Sequence, residues 1–118
     1  MTTPGSGDFA PPGTDPRASF DAITSRLLAE PGTDDHRAIL NPCLRVDGRI
    51  FAMLVRDELV VKLPPGRCAA LVVEGVARPF DRRPGRPERG WVTVNDLELD
   101  RWPALAAEAL AHVRGAPA

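Results

Sequence analysis

The segment at residues 43–63 limits the fold more than any other part of the sequence. It contains three apolar runs, at residues 43–46, 50–55 and 59–63. Asp47-Gly48 separates the first two runs, and this pair favours the type I′ turn of a β-hairpin, because both central residues of that turn need positive φ. The polar residues 56–58 leave room only for a second chain reversal. The segment therefore predicts a three-stranded antiparallel meander at the centre of the protein.

The middle run of this meander is apolar at every position. Regular alternation along the strand would place Ile50, Ala52 and Leu54 on one face and Phe51, Met53 and Val55 on the other. A strand of this kind needs cover on both faces. Helices of the same chain can cover one face, whereas the other needs a further part of the chain or a second copy of it.

The face without helices predicts a homodimer. Several exposed apolar side chains would form a patch of roughly the few hundred Å² that soluble monomers rarely leave bare, and a two-fold dimer would bury that patch with one self-complementary surface. The candidate interface residues are Ile50, Phe51, Met53 and Val55. Partial cover by Trp91, or by a curled edge of the sheet, is the alternative.

The flanking sequence predicts three helices and further strands. Capping residues and apolar stripes at helical spacing predict helices at residues 17–30, 65–75 and 100–115. The first strand is expected within residues 36–46, at an edge or bulged at Pro42, and two later strands at residues 76–80 and 91–94. The predicted order is α-β-β-β-α-β-β-α, an α+β two-layer domain in which helices pack on an antiparallel sheet.

One domain is expected at residues 17–115. Residues 1–16 are rich in Pro and Gly and carry almost nothing apolar. They cannot bury enough surface to offset the entropy lost on ordering, so they predict a disordered N-terminal tail. Residues 116–118 are expected to form a flexible C-terminus.

Charge and hydropathy argue against several classes of protein. The formal net charge is −1 and the pI is about 6.1, so no global field recruits nucleic acid or an anionic membrane. No apolar run is close to the length of about 20 residues that a membrane-spanning helix needs. The first 16 residues have neither the basic start nor the apolar stretch of a signal peptide. The expected location is cytoplasmic, with no membrane partner.

The residue types that usually carry catalysis are isolated in this sequence. Cys43 and Cys68 lack Cys-x-x-Cys spacing, which favours two buried thiols, and His36 and His112 have no partner at metal-ligand spacing. Residues 64–67 precede a helix but lack the Lys-Ser/Thr end of a phosphate loop. They leave a plain turn, or at most a weak anion site at the helix N-terminus. We therefore predict no enzymatic activity, no metal and no cofactor.

An arginine-rich segment at residues 81–90 is the main candidate for binding a charged partner. It combines four Arg with two acids, two Pro and two Gly, a composition that predicts irregular structure. The candidate anion- or partner-binding residues are Arg82, Arg83, Arg86 and Arg89. Guanidinium groups bind phosphates and acidic protein surfaces. The alternative is a solvated loop in which these side chains pair with Asp81, Glu88 and water.

A set of short motifs follows in a familiar order. They are Gly48-Arg49-Ile50-Phe51-Ala52-Met53, Leu59-Val60-Val61-Lys62-Leu63-Pro64, Trp91-Val92, and Trp102 with Glu108-Ala109. Together they resemble the N-terminal-domain family of the bacterial competence regulator TfoX/Sxy and its relatives of the YjbR/MmcQ type. The resemblance covers about residues 20–113 and implies a secretion-chaperone-like α-β(3)-α-β(2)-α fold, the order already expected from turns and periodicity.

The sequence also departs from the family pattern. Residues 37–41 stand where family members usually carry a Gly-Lys-Met-Phe-Gly-like segment, and Gly90 replaces the acidic residue that usually precedes the Trp of strand five. The second, helical domain of the full-length competence regulators has no counterpart here. Whatever that domain contributes to transcriptional activation therefore does not carry over to this chain.

Two functions from different classes remain open. The first is a small non-catalytic regulatory or nucleic-acid-associated protein that acts through the arginine-rich segment and through a partner. The second is a protein-interaction module, for peptide binding or dimerisation, with no nucleic-acid role. Titration of DNA binding with salt separates them, because phosphate contacts lose affinity steeply as salt rises.

Overall fold

A computed structural model describes residues 15–36, 41–83 and 86–115, together with the side chains of these residues except at positions 82–89. The described chain is an α+β domain with three α-helices and a six-stranded antiparallel sheet. The helices are α1 (Pro16–Leu27), α2 (Pro65–Glu74) and α3 (Trp102–Gly115), and a 3₁₀ helix (Asp96–Arg101) precedes α3. The strands are β1 (Thr33–His36), β2 (Cys43–Val46), β3 (Arg49–Val55), β4 (Glu58–Lys62), β5 (Ala77–Arg83) and β6 (Arg86–Val94). Their order across the sheet is β1-β2-β3-β4-β6-β5.

The predicted meander is confirmed as β2-β3-β4. Both residues of its first turn have positive φ, 52° at Asp47 and 81° at Gly48, as a type I′ turn requires. The second turn has the same geometry, with φ of 49° at Arg56 and 63° at Asp57. Neither of these two residues is a glycine, so the second turn adopts a conformation that L-residues disfavour.

Helix α1 begins and packs as its sequence predicts. The Asp15 carboxylate accepts a hydrogen bond of 3.2 Å from the backbone N–H of Arg17 and caps the helix. Pro16 occupies the first turn, where a missing N–H is tolerated. The helix ends at Leu27, three residues earlier than expected, because the carbonyls of the last turn already pair with the N–H groups of residues 28–30.

Two sequence predictions about strands are wrong. The first strand, expected within residues 36–46, is instead β1 at residues 33–36, which pairs with β2 at the sheet edge. The strand that follows Pro42 is therefore not an edge strand, and residues 37–40 lie outside the described part. The described part of the segment at 81–90 is not irregular either, because residues 81–83 belong to β5, residues 86–90 belong to β6, and Asp81 lies opposite Pro87. Two register shifts interrupt this pairing, at Pro79/Asp81 and Asp81/Arg83. Bulges of this kind let strands accommodate prolines, which cannot donate to the ladder.

The helices pack on one face of the sheet and form a single apolar core with it. Trp102 at the start of α3 is completely buried in this core, and its indole Nε1 donates a 3.1 Å hydrogen bond to the carbonyl of Asn95. The sheet contributes Leu44, Val46, Phe51, Ala52, Leu54, Leu59, Val61, Val92 and Val94. We call this set, with the helix residues packed on it, the helix-side core. Among the described residues, no helix combines the length and the apolar character needed to cross a bilayer.

Candidate protein-interaction surface

The register of the strands separates the two faces of the sheet. Val61 lies opposite Ala52 on one side and Val92 on the other, and all three belong to the helix-side core. The next residue, Val60, lies opposite Met53 and Thr93. Because successive residues point to opposite faces, the Val60 row lies on the face away from the described helices. This row crosses the whole sheet and contains His36, Cys43, Met53, Val60, Thr93 and Arg78.

We define the open face as this row together with its neighbours on the same side. The neighbours are Asp34, Arg45, Ile50, Val55, Glu58, Lys62 and Trp91. The centre of the open face is apolar, and Val60 is completely buried there although it is not part of the helix-side core.

A bulge in β3 decides which of the candidate interface residues reach the open face. Leu44 lies opposite Ala52, but Arg45 lies opposite Ile50, so that Phe51 is an extra residue between the two pairs. Phe51 and Ala52 consequently both enter the helix-side core, each fully buried. The strict alternation expected from the sequence is therefore wrong for this strand, and Phe51 lies in the helix-side core and not on the open face.

The other three candidate interface residues lie on the open face. Ile50 is 38% exposed, and Met53 and Val55 are half-buried. Leu54 alternates with them and points into the helix-side core. The bulge thus brings Ile50, Met53 and Val55 to the same side of the sheet.

A groove of about 460 Å³ lies at the β5 end of the open face. Its floor is formed by Val60 and Thr93, which are 0% and 5% exposed. One wall comes from the end of the β3-β4 hairpin, with Val55, Arg56 and Glu58, and the other comes from β5, with Arg78, Pro79, Phe80 and Asp81. Residues of β5 and of the β3-β4 turn line the same groove, although β4 and β6 lie between these elements in the sheet.

Ion pairs stand at both ends of the open face. Nε and Nη2 of Arg45 lie 3.1 and 2.6 Å from the two carboxylate oxygens of Asp34, and Nη1 of Arg78 lies 3.1 Å from Oε2 of Glu58. The hydrogen bonds from Arg45 lower the pKa of the Asp34 carboxyl. Donation to the two carboxylates raises the pKa of Arg45 and of Arg78. Each pair is neutral, and Lys62, whose Nζ lies 5.4 Å from the centre of the Trp91 ring, adds one positive charge to the open face.

Both cysteines are buried and free, as the sequence predicts. Burial raises the pKa of the Cys43 thiol on the open face and of the Cys68 thiol in the helix-side core. The Cys68 Sγ also donates to the carbonyl of Leu63 at 3.5 Å. Because the thiolate is the reactive form, neither cysteine is activated as a nucleophile. Within residues 15–36, 41–83 and 86–115, no cluster of three His, Cys, Asp or Glu residues is arranged to hold a metal ion.

The four candidate arginines lie on the β5-β6 hairpin. Arg82 and Arg83 are in β5, Arg86 and Arg89 are in β6, and Arg83 lies directly opposite Arg86. The side chains at these positions are outside the described part. Their role in binding a charged partner stays a prediction.

Comparisons with known proteins add no relative: no protein-family model, no curated protein and no solved structure matches this chain. The resemblance to the TfoX/Sxy family therefore stays a prediction. The groove had no strong signal in the sequence. The closest signal is the placement of Pro79 and Pro87, because prolines in paired strands favour bulges.

Proposed function

We propose that this chain is a non-catalytic protein-interaction domain that forms a homodimer through the open face. The observation that supports this proposal is the placement of Ile50, Met53 and Val55 on a sheet face that none of the described helices covers. Antiparallel sheets commonly leave one face to solvent, but that face is then polar at alternate positions. Here the middle of the face is apolar and only its two ends carry ion pairs.

The size of the open face supports a second copy of the chain as the partner. Six strands about 4.8 Å apart are roughly 24 Å wide, and strands of about six residues are roughly 20 Å long. The face then offers at most about 500 Å² per copy, or about 1,000 Å² for two copies, because Val60, Cys43 and Thr93 in its middle are already buried within one copy. This area is close to the lower limit for a specific interface, so we expect a dimer of modest affinity.

The fold that we propose is of the TfoX N-terminal-domain type. With β1 set aside, the order α1, β2-β3-β4, α2, β5-β6, α3 is the α-β(3)-α-β(2)-α order that the resemblance implies. In this proposal β1 is an additional edge strand. Any regulatory role would be exercised through the protein partner, and a cytoplasmic location is consistent with two free thiols.

Light scattering on the full chain tests the dimer. We expect a mass near twice 12.7 kDa at about 100 μM protein, and a monomer for Ile50→Glu or Met53→Glu, because each places a charge in the buried centre of the interface. Val73→Glu is the matched control, since Val73 is 89% exposed on α2; its dimer should persist. A monomer mass for the wild type at this concentration, or equal masses for Ile50→Glu and the control, would contradict the proposal.

A second candidate function rests on the β5-β6 hairpin. The direct pairing of Arg83 with Arg86 brings the arginines of the two strands towards one end of the hairpin, where they would form a compact basic site for nucleic acid. We expect such binding to fall steeply between about 50 and 200 mM salt. Replacement of all four arginines by Ala should abolish it. No affinity for single- or double-stranded DNA at low salt would exclude this function.

A further inference from the structure

A cleft of about 360 Å³ lies on the helix side of the molecule, between α1 and the start of α3. Its first wall is a stripe of α1 at helical spacing, formed by Ser19, Ala22, Ile23 and Arg26. Its second wall comes from the end of the 3₁₀ helix and the first turn of α3, with Leu99, Asp100 and Pro103. We call it the α1-α3 cleft.

The middle of the α1-α3 cleft is apolar. Ile23 and Leu99 form its base, since they are only 3% and 5% exposed, and Ala22 and Pro103 are exposed beside them. A large apolar side chain in this space would remove that surface from water, which favours binding. Full burial of a Phe side chain raises an equilibrium constant by roughly tenfold to a hundredfold.

The chain in front of α1 carries one side chain of this kind within reach. Residues 1–14 directly precede the N-cap Asp15, and Phe9 is the only aromatic residue among them. The six residues from Phe9 to Asp15 span up to about 20 Å when extended. The α1 wall runs from Ser19 to Arg26, about 6 to 16 Å along the helix axis from Asp15. Phe9 can therefore reach the middle of this wall.

A turn signal lies where the chain would have to reverse. Pro12-Gly13 fits the central positions of a type II turn, in which Pro sets φ near −65° and Gly accepts the positive φ. Such a turn directs residues 8–11 back along α1. At about 3.1 Å per residue in the polyproline II conformation, Phe9 then lies about 9 Å from the turn. This distance brings the ring level with Ala22, in the apolar middle of the cleft.

Charge favours the same register. Asp8 directly precedes Phe9 and would lie about 12 Å from the turn, on the side of Arg26. Helical side chains lean towards the N-terminus of their helix, which shortens the distance from the Arg26 guanidinium to Asp8. Among the described residues, none forms an ion pair with Arg26. The acidic residue of the cleft, Asp100, belongs to the opposite wall.

We propose that residues 8–12 of this chain occupy the α1-α3 cleft. In this arrangement the Phe9 ring packs on Ile23, and the Asp8 carboxylate pairs with Arg26. The N-terminal segment has too little apolar sequence to order by itself, and the cleft supplies the apolar surface that it lacks. Its tether gives it an effective concentration in the mM range, so a contact of about mM affinity keeps the cleft about half occupied. The docked segment closes the cleft to other apolar ligands.

NMR on the isotopically labelled full chain tests the docking. Phe9→Ala should lower the ratio of docked to undocked segment at least about tenfold. The backbone amides of Ile23 and Leu99 should then shift, whereas that of Met53 on the open face should not. Pro4→Ala is the matched control, because it alters the same segment outside residues 8–12. Unmoved Ile23 and Leu99 amides in Phe9→Ala, or equal shifts in the control, would overturn the proposal.

A substitution in the cleft tests the same contact from the other side. In the wild type, backbone relaxation should show restricted motion at the amides of residues 8–10. Ala22→Arg places a long side chain in the cleft and should release this restriction. Ala104→Arg is the matched control, since Ala104 is exposed on α3 and does not line the cleft. Equal relaxation in the wild type and in Ala22→Arg would contradict the docking.

The ion pair has its own test. Asp8→Asn and Arg26→Gln should each lower the ratio of docked to undocked segment up to about fivefold, and the double variant should fall no further than either single variant. Arg17→Gln is the control, because Arg17 is exposed on α1 outside the cleft. Full additivity of the two single effects would show that Asp8 does not contact Arg26.

Dilution distinguishes the segment of the same chain from that of a second copy. We expect the Ile23 and Leu99 amide positions of Ile50→Glu to be equal at about 50 and about 500 μM, because a tethered contact does not depend on protein concentration. Positions that change with concentration would assign the segment to a second copy and overturn the proposal. The outcome does not depend on the proposed dimer, since the cleft lies on the helix side of the sheet and not on the open face.

Discussion

Replacement of Phe51 by Ala tests the bulge in β3, which decides what the open face contains. Regular alternation would put Phe51 beside Met53 on the open face, where truncation costs little. The observed register instead places the ring in the helix-side core with no exposed surface. Truncation of a buried Phe typically costs about 3–5 kcal/mol, because the lost transfer free energy and the cavity left behind add together. We expect a cost of about 4 kcal/mol.

The control is the neighbouring position. Ile50 is 38% exposed on the open face, so Ile50→Ala gives up only part of its buried surface and should cost about 1 kcal/mol in the monomer. With roughly 100 ordered residues, 1 kcal/mol corresponds to about 5 °C in Tm. The two variants should then differ by about 15 °C.

Urea unfolding monitored by tryptophan fluorescence measures both free energies. A loss of about 4 kcal/mol can exceed what a marginal domain tolerates, and Phe51→Leu then provides a milder version with an expected cost of about 1–1.5 kcal/mol. If Phe51→Ala costs no more than Ile50→Ala, the ring is not in the core, and the assignment of residues to the two faces fails with it.

Two further predictions concern ion pairs. The hydrogen bonds from Arg45 lower the pKa of the Asp34 carboxyl, so this pair contributes stability above the unfolded-state pKa and loses it as pH falls through the folded-state pKa. The difference in urea midpoint between wild type and Asp34→Asn should therefore be present at pH 7 and shrink as the solution is acidified below the unfolded-state pKa. Arg67 joins α2 to α3 through two hydrogen bonds to Glu108, of 2.9 and 3.1 Å, and Glu108→Gln should cost about 0.5–1 kcal/mol in urea unfolding. The contact between Arg101 and Glu74 is longer, at 3.7 Å, so Glu74→Gln is the control. An equal free-energy cost for the two variants would refute the reasoning.

The sequence predicted those parts of the fold that local chemistry decides. Asp47-Gly48 specifies its own turn, and the cap at Asp15 specifies a helix start, so the meander and α1 follow from a few residues. The strands at residues 76–80 and 91–94 were predicted, but their continuation to Arg83 in β5 and from Arg86 in β6 was missed, because prolines and arginines are typical of loops. The pairing of β5 with β6 contains two register shifts. The rest of the sheet holds the two strands together in spite of these interruptions.

The candidate surface was predicted less completely than the fold. Apolar residues along the whole of β3 indicate that both faces of this strand are covered. They give no signal for a bulge, because the extra residue and its neighbours are all apolar, whichever face each one occupies. The sequence therefore left open which face Phe51 occupies, and the bulge places it in the helix-side core. The groove is lined by residues of β3, β4, β5 and β6, which are far apart in the sequence.

The topology of the sheet also sets the order in which its parts can form. Strands β2, β3 and β4 meet through two-residue turns, so their pairing closes only short loops and hairpins of this kind form within microseconds. Strand β6 pairs with β4, with Val61 opposite Val92, but α2 and β5 lie between these two strands in the chain. Closing this longer loop costs more entropy before any contact is gained. The walls of the groove come from both sides of that late pairing. We therefore expect the groove to be completed last in folding, and its β5 wall to be the first part of the sheet to open when the native domain fluctuates.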